Sequence, residues 1–343
     1  MENNNSAEQD TFDTVKLLKA GKIGGIFFGV ALLFLSIGAI IMTVGALVIS
    51  NSSGISVSGY IYADEITFDI GAIVLLLLSM MIIRTSRSDK LPESYTVYGI
   101  TVFLFFLFLA ISEIIYYAYL LHSVSITGGS VPSGFIYAPI ELIVGAVLLF
   151  IASTVTKSKT LEGKLTGVIL GIVGIILVFI SYLFNPVSAV QIAYATTAEA
   201  NFAGFLSYPA FLIYFFGIFG SYSALAFVAF LVLAAGIIVT FFIKKGKDSI
   251  MLLFEVIAAM VFAVGLLVTG IITSTGKYFT DFNLPKDVFF YSSSYYGIVN
   301  ASQVLLLISG VLLLISGILL IIYTIVKLVE TSKQIGKEFN LKM

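Results

Sequence analysis

The chain has 343 residues, 59% of them hydrophobic and 11% charged, with a formal net charge of −1 and a mean hydropathy of +1.10. A soluble domain cannot present that composition to water, so the expected fold class is an all-α integral membrane protein in contact with a lipid bilayer. Zero cysteines and one histidine exclude disulfides, thiolate metal sites, iron–sulfur clusters and a haem with paired axial histidines. No cofactor or metal is therefore expected, and the charge balance carries no signal for nucleic acid.

In chain order, residues 1–15 are polar and rich in Asn and acid, and are expected to form a disordered cytoplasmic tail. An amphipathic turn with Phe12, Val15 and Leu18 leads into a first span at about 23–49. Its apolar run is far longer than a secretory signal core, which reads as a transmembrane helix rather than a cleaved leader. Since about 20 apolar residues cross the hydrocarbon core, further spans are predicted at about 66–84, 96–121, 136–156, 165–184, 222–243, 250–273 and 299–326. The apolar runs are continuous, as in Val74-Leu75-Leu76-Leu77-Leu78, and do not alternate as barrel strands do. The uncharged stretch between Glu199 and Lys244 exceeds one helix, and residues 204–219 are placed on the outer surface or half-inserted.

Charge orients the spans. Lys16, Lys19, Lys22, Arg84, Arg87, Lys90, Lys157, Lys159, Lys164, Lys244, Lys245, Lys247, Lys327, Lys333, Lys337 and Lys342 fall on one side of an eight-span arrangement. Only Lys277 and Lys286 fall on the other. By the positive-inside rule both termini are cytoplasmic, and an odd number of spans would break the partition.

The chain also shows internal repetition. Ser58-Gly59-Tyr60-Ile61-Tyr62-Ala63 recurs as Ser133-Gly134-Phe135-Ile136-Tyr137-Ala138, each followed within the next span by Gly71-Ala72 or Gly145-Ala146. A weaker third copy runs from Ala203 to Pro209. Gly21-Lys22-Ile23-Gly24-Gly25 and Gly163-Lys164-Leu165-Thr166-Gly167 open the first and fifth spans, and Gly29 and Gly171 follow four residues on. The pattern predicts four hairpins in two tandem halves, 16–157 and 158–328, with a cytoplasmic tail at 329–343. Lipid tails are as apolar as leucine, so helices associate by close backbone approach at small residues. Gly25, Gly29, Gly167 and Gly171 are expected to line such seams within the bundle. So are Gly310 and Gly317, in the repeated triplets Ile308-Ser309-Gly310 and Ile315-Ser316-Gly317.

Few side chains carry chemistry. Glu113 lies deep in the third span, with Tyr116 and Tyr117 on its face at i+3 and i+4. An ionisable group there is a candidate ion or proton site, or a buried polar link between helices. Glu141, behind Pro139 at the start of the fourth span, is suited to the positive end of a helix dipole and could reach the depth of Glu113. Asp69 has a similar place in the second span, and Glu255 is expected to pair with the Lys244–Lys247 cluster. Asn51-Ser52-Ser53 and Asn300-Ala301-Ser302 match the three-residue glycosylation pattern.

No nucleotide loop, nucleophile elbow or metal motif is present, so no catalytic residue is assigned and an enzyme is not expected. The spans lack the set of polar groups that a polar substrate needs. The expected function is a non-catalytic accessory subunit or scaffold of a complex in the cell membrane, with a membrane protein as partner. The alternative is a transporter or flippase-like protein for an apolar or lipid-like substrate, proton-coupled through Glu113.

Overall fold

A computed structural model describes residues 3–52, 59–87, 95–127, 136–155, 160–183, 227–229, 231–243, 246–274 and 293–339. Among them all regular structure is helical. The helices are α1 (Asn3–Ser52), α2 (Gly59–Arg87), α3 (Tyr95–Thr127), α4 (Tyr137–Val155) and α5 (Leu161–Leu183). They continue with α6 (Phe227–Phe242), α7 (Lys247–Ser274) and α8 (Ser293–Glu338). All except α6 are long and apolar enough to cross a bilayer, which makes this a multi-pass membrane protein. The sixth predicted span corresponds to α6, and its first residues, like the whole of 204–219 and the third repeat copy, lie outside the described residues.

Local chemistry sets several helix ends. Thr160 caps α5, its hydroxyl accepting the Gly163 N–H at 3.2 Å, with Glu162 in the first turn facing the dipole. Arg84 and Arg87 occupy the last turn of α2, where cations suit the negative end. Gly246 has φ 71° between α6 and α7, a left-handed turn that residues with a Cβ rarely adopt. The Phe339 ring closes over it, and the Ser249 hydroxyl donates to Glu338 at 2.7 Å, tying the end of α8 to the start of α7.

Two expectations about local structure are corrected. α1 is helical from Asn3, so its backbone includes most of the segment read as a disordered tail. Extending a helix that is already nucleated adds one hydrogen bond per residue fixed, which favours propagation into a polar end. The repeated hexapeptides are not loop segments where they are described. Gly59–Ala63 form the first turns of α2, and Tyr137-Ala138 begin α4.

The helices pack as antiparallel neighbours in the order α5, α4, α3, α2, α1, α8, α7. Gly236 brings α6 against Phe254 of α7. The first helix thus packs on the last, so the two predicted halves share a seam. Two hydroxyls stitch it, Ser309 donating to the Ala31 carbonyl and Ser316 to the Gly24 carbonyl, both at 2.8 Å. The glycines beside those serines face the other way. A Cβ on Gly317 would lie 2.5 Å from the Leu267 nitrogen of α7, and one on Gly310 would lie 2.6 Å from the Ser274 nitrogen. Each Ser-Gly pair therefore serves two neighbours, serine to α1 and glycine to α7.

The other glycine seams resolve similarly. Gly25 presses against Ser86 of α2, and a Cβ on Gly29 would meet the Ser79 carbonyl at 3.0 Å. Gly21 and Gly24 instead face Tyr323 and Leu320 of α8. Gly167 and Gly171 are buried along α5, but the backbone crossing with α4 falls at Gly174 and Gly145. Each of these two would set a new Cβ within 3 Å of the other's carbonyl oxygen.

This register places the described lysines and arginines toward one end of the bundle. Lys19 and Lys22 stand at the start of the apolar stretch of α1, Arg84 and Arg87 end α2, Lys164 lies in the first turn of α5, and Lys333 and Lys337 lie near the end of α8. The arrangement yields a direct test, because the chain has no native cysteine. Cysteines at exposed Tyr60 and Tyr137 are expected to react with an impermeant thiol reagent added outside intact cells, and cysteines at exposed Arg87 and Lys337 are expected to stay protected. Labelling of both sets from one side would overturn the eight-span orientation.

Candidate functional site

At the end of the bundle opposite those cations, α2 and α3 bring carboxyl groups together. Asp64 and Glu65 sit near the start of α2, and Glu113 is about 9 Å from Tyr119, the end of the apolar stretch of α3. All three are shut from the surface, with relative exposures of 1%, 0% and 1%. The Ser112 hydroxyl donates to Asp64 Oδ1 at 2.6 Å across the α2–α3 seam, and Glu113 interacts electrostatically with Asp64.

The pairing follows from the register of α2 on α3. Thr85 meets Tyr98 at 2.6 Å near the cationic end, Thr101 meets Met81, and Gly71 packs on Phe108. Continuing along the antiparallel pair brings Ser112 to Asp64, and then the Tyr60 and His122 rings together at 5.7 Å.

Other polar groups continue into the α1–α2 seam. Thr43 donates to Asp69 Oδ1, and the Ser36 hydroxyl donates to the Ala72 carbonyl. Thr43 and Ser36 are fully buried, so hydroxyls of α1 satisfy polar groups of α2 within the apolar core.

Of the sequence candidates, Glu113 and Tyr116 lie in the buried core, Tyr116 among Phe105, Leu109 and Leu142 of its cluster. Tyr117 is half-buried. Glu141 heads α4 at about the height of Glu113, as the contact of Gly99 with Ser153 and the stacking of Phe103 on Phe150 require. The acid that acts electrostatically on Glu113, however, is Asp64. Glu255 interacts electrostatically with Lys164 of α5, a cation more distant in sequence than the expected cluster. Asn51 and Asn300 fall within α1 and α8.

Asp64 and Glu65 escaped the sequence reading because the second span was started just after them, which left them in a loop. Their signal was present as two acids one helical turn before Asp69, at the head of an apolar run. Among the described residues, no three His, Cys, Asp or Glu side chains converge in a way that could hold a metal ion. The chemistry on offer is hydrogen bonding and proton exchange among carboxyl and hydroxyl groups.

No protein family, curated protein or solved structure matches the chain.

Proposed function

We propose that the chain is a proton-linked transport protein of the cell membrane, with Glu113 and Asp64 as its coupling pair. The observation that carries this reading is the burial of two carboxyl groups, those of Asp64 and Glu113, on two neighbouring apolar helices, close enough to interact electrostatically. Removing such groups from water is costly, so intramembrane acids mark ion or proton sites more readily than packing positions. Both members of the pair can carry a proton, and the Ser112 hydroxyl donates to Asp64 Oδ1, a bond that favours the ionised carboxylate. The spans offer no set of polar groups for a polar cargo, which favours an apolar or lipid-like substrate. Cytoplasmic termini, eight spans and a tandem origin of the halves complete the proposal, supported by the cation partition and the repeated motifs.

The test is proton uptake in liposomes containing the purified protein and an entrapped pH indicator. An inward proton gradient should acidify vesicles holding the native chain. Glu113→Gln and Asp64→Asn, which keep size and hydrogen-bonding capacity, should reduce the rate to that of empty vesicles. Equal uptake by all three proteins would overturn the proposal.

The accessory-subunit reading is favoured by a different feature, the absence of Asp, Glu, Lys and Arg from the spans predicted at 23–49, 165–184 and 299–326. It calls for a stoichiometric protein partner in mild detergent. Under that reading Glu113→Gln would leave partner binding and stability unchanged.

A further inference from the structure

On α3, Glu113, Tyr116, Tyr119 and His122 recur at a constant interval of three residues. Residues three apart are neighbours on a helix surface, with Cβ atoms about 5–6 Å apart. The series winds up α3 over about 13 Å. Its burial falls steadily toward the helix end. Glu113 is 1% exposed, Tyr116 is 6% exposed, Tyr119 is half-buried and His122 is exposed. The Tyr116 and Tyr119 rings lie 6.1 Å apart at an interplanar angle of 41°. His122 in turn rests 5.7 Å from Tyr60 of α2, at the mouth of the α2–α3 seam whose floor is the Ser112–Asp64 bond.

We infer that Tyr116, Tyr119 and His122 form a proton path between the aqueous surface and Glu113. The inference rests on the reading of Glu113 as a proton-exchanging group, and it supplies the route by which a proton reaches that group. Phenol hydroxyls both donate and accept, so they can relay a proton without holding charge. A metal cation would instead need several oxygens converging on one point. An exposed imidazole has two ring nitrogens that can donate or accept a hydrogen bond and is reached by water, and so suits the outer end of a relay.

In the inward step a ring N–H of protonated His122 gives its proton to the Tyr119 oxygen. The Tyr119 hydrogen passes to the Tyr116 oxygen, and the Tyr116 hydrogen passes to the Glu113 carboxylate. Each phenol ends with one hydrogen, and only the imidazole and the carboxyl group change charge. The titratable neighbours of the path are Tyr60, Tyr62 and Asp64 on α2, Tyr117 on α3 and Glu141 at the head of α4, with Asp69 bound by Thr43 at the α1 side. None of them is a cation. The described lysines and arginines lie toward the far end of the bundle.

Infrared spectroscopy of the full chain in detergent reads the protonated carboxyl C=O stretch directly after a rapid pH jump. The part of the band lost in Glu113→Gln reports Glu113. Tyr116→Phe and Tyr119→Phe keep the rings but remove the relay oxygens, and His122→Gln removes the imidazole. Each should leave the final size of the Glu113 band unchanged and slow its appearance by about tenfold or more. Tyr117→Phe, off the series, should match the native rate. Native rates in the Tyr116, Tyr119 and His122 variants would overturn the path and leave the coupling reading intact. Equal slowing by Tyr117→Phe would also overturn it, because the effect would then be general. A pH-dependent band that survives whole in Glu113→Gln would overturn the underlying reading of Glu113 itself.

Discussion

Gly317→Leu is expected to separate α7 from α8 and to destabilise the protein by about 3 kcal/mol, the upper range for forcing bulk into a packed interior. The reason lies in what the new side chain would meet. A Cβ at this position would sit 2.5 Å from the Leu267 nitrogen and 2.7 Å from its Cα. Those are backbone atoms of a neighbouring helix, which cannot swing aside as a side-chain tip can. Displacing α7 would also open the cluster of Ala31, Leu266 and Leu313, where α1, α7 and α8 meet and Phe28 packs edge-on against Phe262. Inside a bilayer no hydrophobic force pulls the helices back together, so lost dispersion contact is not recovered elsewhere. Gly59→Leu is the matched control, since a Cβ there meets nothing within 4 Å, and its effect should stay within about 0.5 kcal/mol. Thermal unfolding in detergent, followed by the fraction remaining monodisperse, measures both. Equal midpoints for the two variants would show that the glycine at the α7–α8 crossing is dispensable.

Substitutions at Glu113 should divide by chemistry rather than by size. Glu113→Gln keeps a donor and an acceptor where the carboxyl group sits and should fold with native stability while losing proton uptake. Glu113→Leu removes a polar group from beside Asp64, which is 1% exposed and bonded to Ser112, and leaves an apolar neighbour in its place. Depriving a buried polar group of its surroundings costs about 1–3 kcal/mol, so the leucine variant should melt earlier as well as lose uptake. The double variant Glu113→Leu with Asp64→Leu should recover part of that loss, because replacing both partners by apolar groups removes the stranded one. Unfolding midpoints of the three variants in one detergent decide the matter. A glutamine variant as unstable as the leucine variant would mean that the carboxyl group is needed for the fold itself.

The seams were more legible in the sequence than the site. Spacing alone pointed to Gly25, Gly29, Gly310 and Gly317, because a small residue every fourth or seventh position repeats on one helix face whatever lies opposite. Spacing could not say which helix lies opposite. Gly25 and Gly29 turn to α2, whereas Gly310 and Gly317 turn to α7, and their adjacent serines turn to α1. The α4–α5 crossing at Gly145 and Gly174 joins one glycine noted only as part of a repeat to another not noted at all.

Composition, by itself, determined the class: so apolar a chain must satisfy its backbone hydrogen bonds internally, which in lipid leaves helices once alternating strands are absent. The distribution of lysine and arginine determined the expected orientation, since it depends only on where each cation falls between spans. Tertiary structure alone decided the neighbour order, with α1 beside α8, and the meeting of Asp64 with Ser112 beside Glu113. Asp64 and Ser112 are 48 positions apart, and whether they meet depends on the sliding register of α2 on α3. That register is fixed by side-chain contacts along the whole seam, from Thr85 and Tyr98 at one end to Tyr60 and His122 at the other. A shift of one turn, about 5.4 Å, would part the acids without altering any apolar pattern in either helix.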